Sequence, residues 1–258
     1  MDPHERRPRA SLGWSRLLTV LAMALVAVAG YYGIRGYGPA LPHLRPVRIT
    51  SQQEIAIGLQ AAPAMAQRYG GLSTDRQARQ RVDRVCHDLV EKTEARRSPY
   101  DFDCHVLADA QTADAFALPG GQVFVTAGLM ERVPTDAGLA GVLGHEIAHV
   151  LDRHGIQRIA ETRIAPGLTG AAVLAAYDPA DPASRRTAAV ATLIGRLIDL
   201  RFSPAEEAEA DRLGARLAAE AGYDPQGAAQ AMRLLAAASD ERGARGGGDG
   251  APPQKAAF

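Results

Sequence analysis

Leu143-Gly-His145-Glu146-Ile-Ala-His149-Val150 is the stretch on which the reading of this 258-residue sequence turns. Val142, Leu143, Ile147, Ala148 and Val150 give it an apolar frame, and the surrounding pattern predicts a helix over 136–153, with Thr135 or Asp136 as its cap. On a helix, residues four apart share a face, so His145 and His149 can both present a ring nitrogen to one metal ion. Glu146 is rotated one residue from them. It can reach a water at that ion without ligating the ion itself. The competing reading is an amphipathic helix that happens to carry two histidines.

Zinc in a reactive site takes three protein ligands and keeps one position open. A third histidine in the metzincin pattern would need Gly at 152 and His at 155, and the sequence has Asp152 and Gly155 there. His154 lies nine residues beyond His145, on the opposite side of one continuous helix, and reads as a surface or cap residue. The better candidate is in Ser203-Pro-Ala-Glu-Glu207-Ala-Glu-Ala-Asp211, predicted as a helix over 204–221. Ser203 is its N-cap, Pro204 its first residue, and Glu206 completes a capping box. Glu207 can supply the third ligand, and Asp211, one turn on, can accept the free N–H of a ligating histidine. Glu206 and Glu209 read as solvent-facing. An acidic helix N-terminus favoured by the helix dipole is the plainer account of some of these carboxylates.

The rest of the chain is read around these two helices. Residues 52–68 and 75–94 have helical periodicity. Alternation at Phe102, Cys104 and Val106 predicts a strand, Pro119-Gly120-Gly121 a turn, and Gln122–Ala127 a second short strand. Segments 164–176 and 188–200 are apolar but too short to span a bilayer. They read as packed core helices, with a membrane-dipping or gating hairpin as the alternative. No repeat is visible. Helices, then a few strands, then helices indicate an α+β fold.

The termini differ from this body. Arg6, Arg7, Arg9 and Arg16 precede an apolar run from Leu17 to Ile34, the order of a secretory signal or membrane anchor. We therefore expect a signal or anchor over 1–34, a Gly/Pro-rich linker over 35–50, a metallopeptidase domain over 51–239 and a Gly/Pro-rich tail over 240–258. A membrane contact through the N-terminal segment and a periplasmic or otherwise extracytoplasmic location follow. Cys86 and Cys104 lack CxxC spacing, and either one disulfide or two buried thiols fits them. With 47% apolar and 22% charged residues the chain can bury a sizeable core. Lys+Arg 29 balance Asp+Glu 29, and no basic stripe follows the N-terminus, so nucleic acid is excluded as partner.

Three blocks together resemble a known family: Asp114-Ala-Phe-Ala-Leu-Pro-Gly-Gly-Gln-Val-Phe-Val-Thr-Ala-Gly-Leu129, Leu143–Val150 and Glu207-Ala-Glu-Ala-Asp211, with Gly222-Tyr-Asp-Pro225 following. They are similar to the gluzincin metallopeptidases that include the CAAX prenyl protease and HtpX, and most of all to the exported, BepA-like branch. The resemblance implies a zincin-like fold and one zinc ion per chain. His145, His149 and Glu207 would be the ligands, Asp211 the support and Glu146 the general base. It also implies that Val123, Phe124, Val125 and Thr126 form an edge strand that binds an extended peptide by backbone hydrogen bonds. Protein or peptide substrates follow, here misfolded or stalled envelope proteins. A zinc-bearing, chaperone-like scaffold with little turnover is the alternative. Two departures stand out. Asp114 replaces the family's usual Asn, and the sequence ends at Phe258, where relatives continue with a His-Pro element and a later Arg.

Overall fold

A computed structural model of the chain describes residues 49–229 and 231. The expected signal or anchor, nearly all of the linker and the tail lie outside these residues. Among the described residues, no helix is long and apolar enough to cross a membrane. The order of elements is helical, then mixed, then helical. Helices α1 (Ser51–Arg68) and α2 (Arg76–Glu91) lead through a 3-10 turn (Glu94–Arg97) to strand β1 (Asp103–Leu107). Strands β2 (Ala115–Leu118) and β3 (Gln122–Thr126) follow, then the short α3 (Ala127–Arg132) and the motif helix α4 (Asp136–Leu151). Next come α5 (His154–Glu161), a hairpin of β4 (Arg163–Ala165) and β5 (Leu168–Thr169), α6 (Gly170–Ala175), α7 (Pro182–Arg185), α8 (Ala188–Ile198) and α9 (Pro204–Glu220). This is the α+β architecture expected.

Each major helix starts where the sequence supplies a cap. Thr50 and Gln53 form a capping box on α1, Asp75 caps α2, Thr135 caps α4, and Ser203 with Glu206 forms the capping box of α9. These bonds satisfy N–H groups that would otherwise lack partners at the helix starts.

The three-stranded sheet has the order β1-β3-β2, parallel between β1 and β3 and antiparallel between β3 and β2. This corrects the expectation that Val123–Thr126 is an edge strand. β3 is the middle strand, with Val123, Phe124, Val125 and Thr126 all buried and both sides of its backbone occupied by neighbours. The turn at Pro119-Gly120-Gly121 folds Ala115–Leu118 back against it, and that strand becomes the edge. Gly120 has φ 87°, and a Cβ there would lie 2.4 Å from Cα of Ile55, so the tight turn nestles against α1. Alternation along β3 divides the core. Val123 and Val125 join the cluster built by α2, α4 and α9, while Phe124 faces the cluster of α1, α5, α6 and α8.

The segment 164–176 is not the continuous helix expected. Pro166-Gly167 makes a turn, with Gly167 at φ 77°, between β4 and β5, and helix begins only at Gly170 behind the Thr169 cap. The segment 188–200 is helical as far as Ile198.

Cys86 on α2 and Cys104 on β1 form a disulfide, closing a loop with a sequence separation of 18. A cross-link of that span limits the unfolded chain by about 3 kcal/mol. Replacing both cysteines with Ser should therefore lower the free energy of unfolding by about that amount without changing the fold, as read from urea denaturation, with an m-value that rises as the unfolded chain expands.

Candidate metal centre

Helices α4 and α9 cross with almost no side chain between them. A Cβ on Gly144 would lie 2.8 Å from the carbonyl oxygen of Gly214, and one on Gly214 would lie 2.6 Å from the backbone N of His145. Only a pair of glycines permits this approach. It carries Glu207 and Asp211 of α9 up to the two histidines of α4.

The result is a convergent triad. Nε2 of His145 and Nε2 of His149 are 3.1 Å apart, and Oε2 of Glu207 lies 3.4 Å from the first and 3.9 Å from the second. His145, His149 and Glu207 are the group of residues, among those described, whose ligand atoms cluster closely enough to hold a metal ion. Oε2 of Glu207 is buried without a hydrogen-bond partner. Such an orphan carboxylate oxygen, facing two imidazole nitrogens, is a position that a bound cation would satisfy. The separations also fit. Donors bound tetrahedrally at ~2.1 Å stand about 3.4 Å apart, and two nitrogens with one carboxylate form a zinc-type donor set. Calcium and magnesium instead require shells of six or more oxygens.

The neighbours of the triad complete it. Nδ1 of His145 is 2.9 Å from Oδ1 of Asp211, so a neutral His145 carries its proton on Nδ1 and leaves Nε2 free. The ring of His149 is stacked on Phe202, with centroids 4.0 Å apart and planes 17° from parallel. Glu146 is buried and outside the triad. Burial pushes its carboxyl up to about 8; the charge of His145 opposes the shift, Glu207 and Asp114 add to it, and a backbone hydrogen bond from Ala117 opposes it again. Burial also pushes His149 down to about 2, in the same direction as His145 and His154 act. Burial alone would lower His145 too, but the hydrogen-bonded Asp211 and the nearby Glu207 outweigh it and raise it to about 10. The site thus favours positive charge at the triad and keeps His149 neutral.

The free edge of the sheet meets this centre. Asp114 and Thr126 are bonded to each other, and the antiparallel register pairs Phe116 with Phe124 and Leu118 with Gln122. Alternation along the ladder then turns the backbone groups of Ala115 and Ala117 away from β3. Ala117 is the residue whose backbone reaches Glu146. The strand beside Glu146 is therefore 115–118, and 123–126 lies behind it.

Two residues at the site escaped the sequence reading. His154, expected at the surface, is buried, with its Nδ1 3.0 Å from Nδ1 of His149 and its Nε2 3.2 Å from Oε2 of Glu209. The reason is Arg153, the non-glycine residue with positive φ (60°) among those described. It breaks the helix after Leu151, so the nine-residue rotation from His145 no longer applies. Phe202 carried no signal beyond its place before the Ser-Pro cap. Glu206 and Glu209 are not simply solvent-facing either. Glu206 takes a forked bond from Arg158 at 2.6–3.0 Å, tying α5 to α9, and Glu209 meets His154. His105 contacts Gln122 at 3.1 Å and the ring of Phe124, away from the triad.

A helix-borne His-Glu-x-x-His met by a carboxylate from a second helix is the arrangement of metal-dependent peptidases. The sequence pattern of Peptidase family M48 matches residues 76–252, well over half of the chain. The chain belongs to that family. It is similar to the mitochondrial metalloendopeptidase OMA1 of Schizosaccharomyces pombe, 35% identical over 146 residues, covering 57% of this chain and 41% of that protein. It is also similar to the beta-barrel assembly-enhancing protease of Yersinia pestis, 31% identical over 167 residues, covering 61% and 32%. The metalloendopeptidase OMA1 of Bos taurus is 34% identical over 148 residues, covering 55% and 28%. The chain thus spans between about a quarter and two-fifths of the length of these relatives.

Proposed function

We propose that this chain is a zinc-dependent endopeptidase in which His145, His149 and Glu207 hold one zinc ion and Glu146 is the general base. The observation that carries the reading is the meeting of two Nε2 atoms and an unpartnered, buried Glu207 oxygen within 3.1–3.9 Å of one another, beside a buried glutamate. Zinc, when bound, supplies Lewis acidity to the scissile carbonyl and to the attacking water. Asp211 keeps His145 in the tautomer that leaves Nε2 free to ligate. Glu146, outside the ligand set, takes the proton of the attacking water and returns it to the leaving amine. Its burial favours that second role, because a carboxyl raised toward neutrality holds a proton readily.

The substrate is an extended peptide. The outward carbonyl groups of Ala115 and Ala117 offer it acceptors, as an added strand, next to Glu146, while their N–H groups donate to Asp114 and Glu146. This replaces the assignment of that role to Val123–Thr126. The disulfide points to an oxidising compartment. With the similarity to beta-barrel assembly-enhancing proteases, it supports an extracytoplasmic enzyme acting on misfolded or stalled envelope proteins, delivered or held by the segment Leu17–Ile34.

Zinc content and casein hydrolysis of the purified full chain test this reading. About one zinc per chain and hydrolysis that stops on chelation and returns with added zinc are expected. Zinc without hydrolysis of casein or of unfolded envelope proteins would instead indicate a scaffold. A folded chain that takes up no zinc would end the proposal.

A further inference from the structure

Both ligating histidines need a partner at Nδ1, yet only His145 has a carboxylate there. Nδ1 of His149 faces another imidazole, that of His154, at 3.0 Å. Two bare or two protonated nitrogens at that distance repel, so one must donate and the other accept. The far side of His154 fixes the tautomer of its neutral ring. Its Nε2 lies 3.2 Å from Oε2 of Glu209, and a carboxylate only accepts. A neutral His154 therefore carries its proton on Nε2 and leaves Nδ1 bare. His149 must then donate from Nδ1, which leaves its own Nε2 with a lone pair aimed at the triad. Any other placement puts a proton between the ligand atoms.

We infer that His154 is a positioning residue for the metal centre, relaying the acceptor character of Glu209 to His149 as Asp211 acts directly on His145. This rests on the reading that His149 is a metal ligand. The surroundings of His154 suit the role. It is buried, and it opens α5 directly after Arg153. The guanidinium of Arg153 is bound to the buried carboxylate of Glu54 on α1 and, at 2.7 Å, to the carbonyl of Ile49. The sharp turn that brings His154 back onto His149 is thus anchored to a different part of the fold. Phe202 closes the face of the His149 ring, so the ring is fixed in plane by stacking and in direction by His154.

The test is the zinc dissociation constant of the full chain, from competition with a chromophoric chelator. It is compared for wild type, His154→Phe, His154→Gln, Glu209→Ala and the His154→Phe/Glu209→Ala double variant. Loss of an outer partner to a ligating histidine weakens metal binding about 10–100-fold. His154→Phe should fall in that range with an unchanged melting temperature of the zinc-free chain. His154→Gln should recover part of the loss, because its amide oxygen can accept from Nδ1. Glu209→Ala, which removes the acceptor, should weaken zinc in the wild type and cost nothing further in His154→Phe. Zinc binding by His154→Phe within about twofold of wild type, or an equal Glu209→Ala effect in both backgrounds, would overturn the relay and leave the peptidase reading standing. If His154→Phe lacks a cooperative melt, Glu209→Ala decides, since its side chain is half exposed and its loss spares the core. Unchanged affinity there overturns the inference. A wild-type chain that takes no zinc removes both readings at once.

Discussion

Glu146→Gln is expected to abolish nearly all hydrolysis while leaving the zinc in place. The substitution keeps the size of the side chain and its capacity to accept from the backbone of Ala117. What it removes is the ability to take and return a proton. General acid–base catalysis by a positioned side chain is worth roughly 10²–10⁴ in rate, or about 3–5 kcal/mol of barrier. The loss should fall on kcat and on kcat/KM equally, with KM little changed, because the substituted amide still accepts from Ala117 and leaves the proposed peptide-binding edge in place. Zinc stoichiometry should stay near that of wild type, since Glu146 is not one of the converging donors. Stability should hold or rise slightly, because a carboxylate at 3% exposure is replaced by a neutral amide. A Gln variant that kept more than about a tenth of the wild-type kcat would remove Glu146 from the proton-transfer role.

The contrast between what the sequence disclosed and what it concealed is clearest around this residue. His145, His149 and Glu207 were legible because their geometry is local. Each pair is set by helical rotation within one element, and the caps at Thr135 and Ser203 fix where those helices begin. That α4 and α9 meet was suggested only by chemistry, the need for a third ligand. The physical means of their meeting, the bare contact of Gly144 with Gly214, has no local signature. The strand order was hidden for a related reason. The Pro119-Gly120-Gly121 turn announces that two strands pair, but not which of them a third strand will join. β1 pairs with 122–126, so the edge falls to 115–118. His154 was misplaced because the helical wheel assumes an unbroken helix. Asp152-Arg153-His154 contains no proline or glycine to mark the break, and the positive φ of Arg153 is imposed from outside, by α1.

That outside constraint leads to the second large effect. Glu54→Ala should destabilise the fold by about 3 kcal/mol, more than the loss of any exposed ion pair among the described residues. Glu54 is 1% exposed, accepts from the Tyr100 hydroxyl at 2.7 Å, and pairs with Arg153, whose side chain is 42% exposed. Truncation leaves the phenol without its acceptor and the guanidinium without its charge partner. A full buried-pair loss runs to ~3–5 kcal/mol, and the partial exposure of Arg153 moves the expectation to the lower end. Glu54→Gln, which still accepts from Tyr100, should cost less, and urea denaturation of the three proteins gives the comparison. The left-handed backbone of Arg153 adds a distinctive consequence. That conformation costs a non-glycine residue ~1–2 kcal/mol, held in place here by the pair with Glu54. With the pair gone, the turn should relax and His154 should drift from His149, so Glu54→Ala should also weaken zinc although it touches no ligand. Adding Arg153→Gly to Glu54→Ala should then restore part of both losses, because glycine adopts the left-handed turn without steric cost. In a wild-type background the same Arg153→Gly change removes the clamp and should destabilise. A sign reversal between the two backgrounds is the result that ties the turn to the metal centre, and an additive pair would separate them.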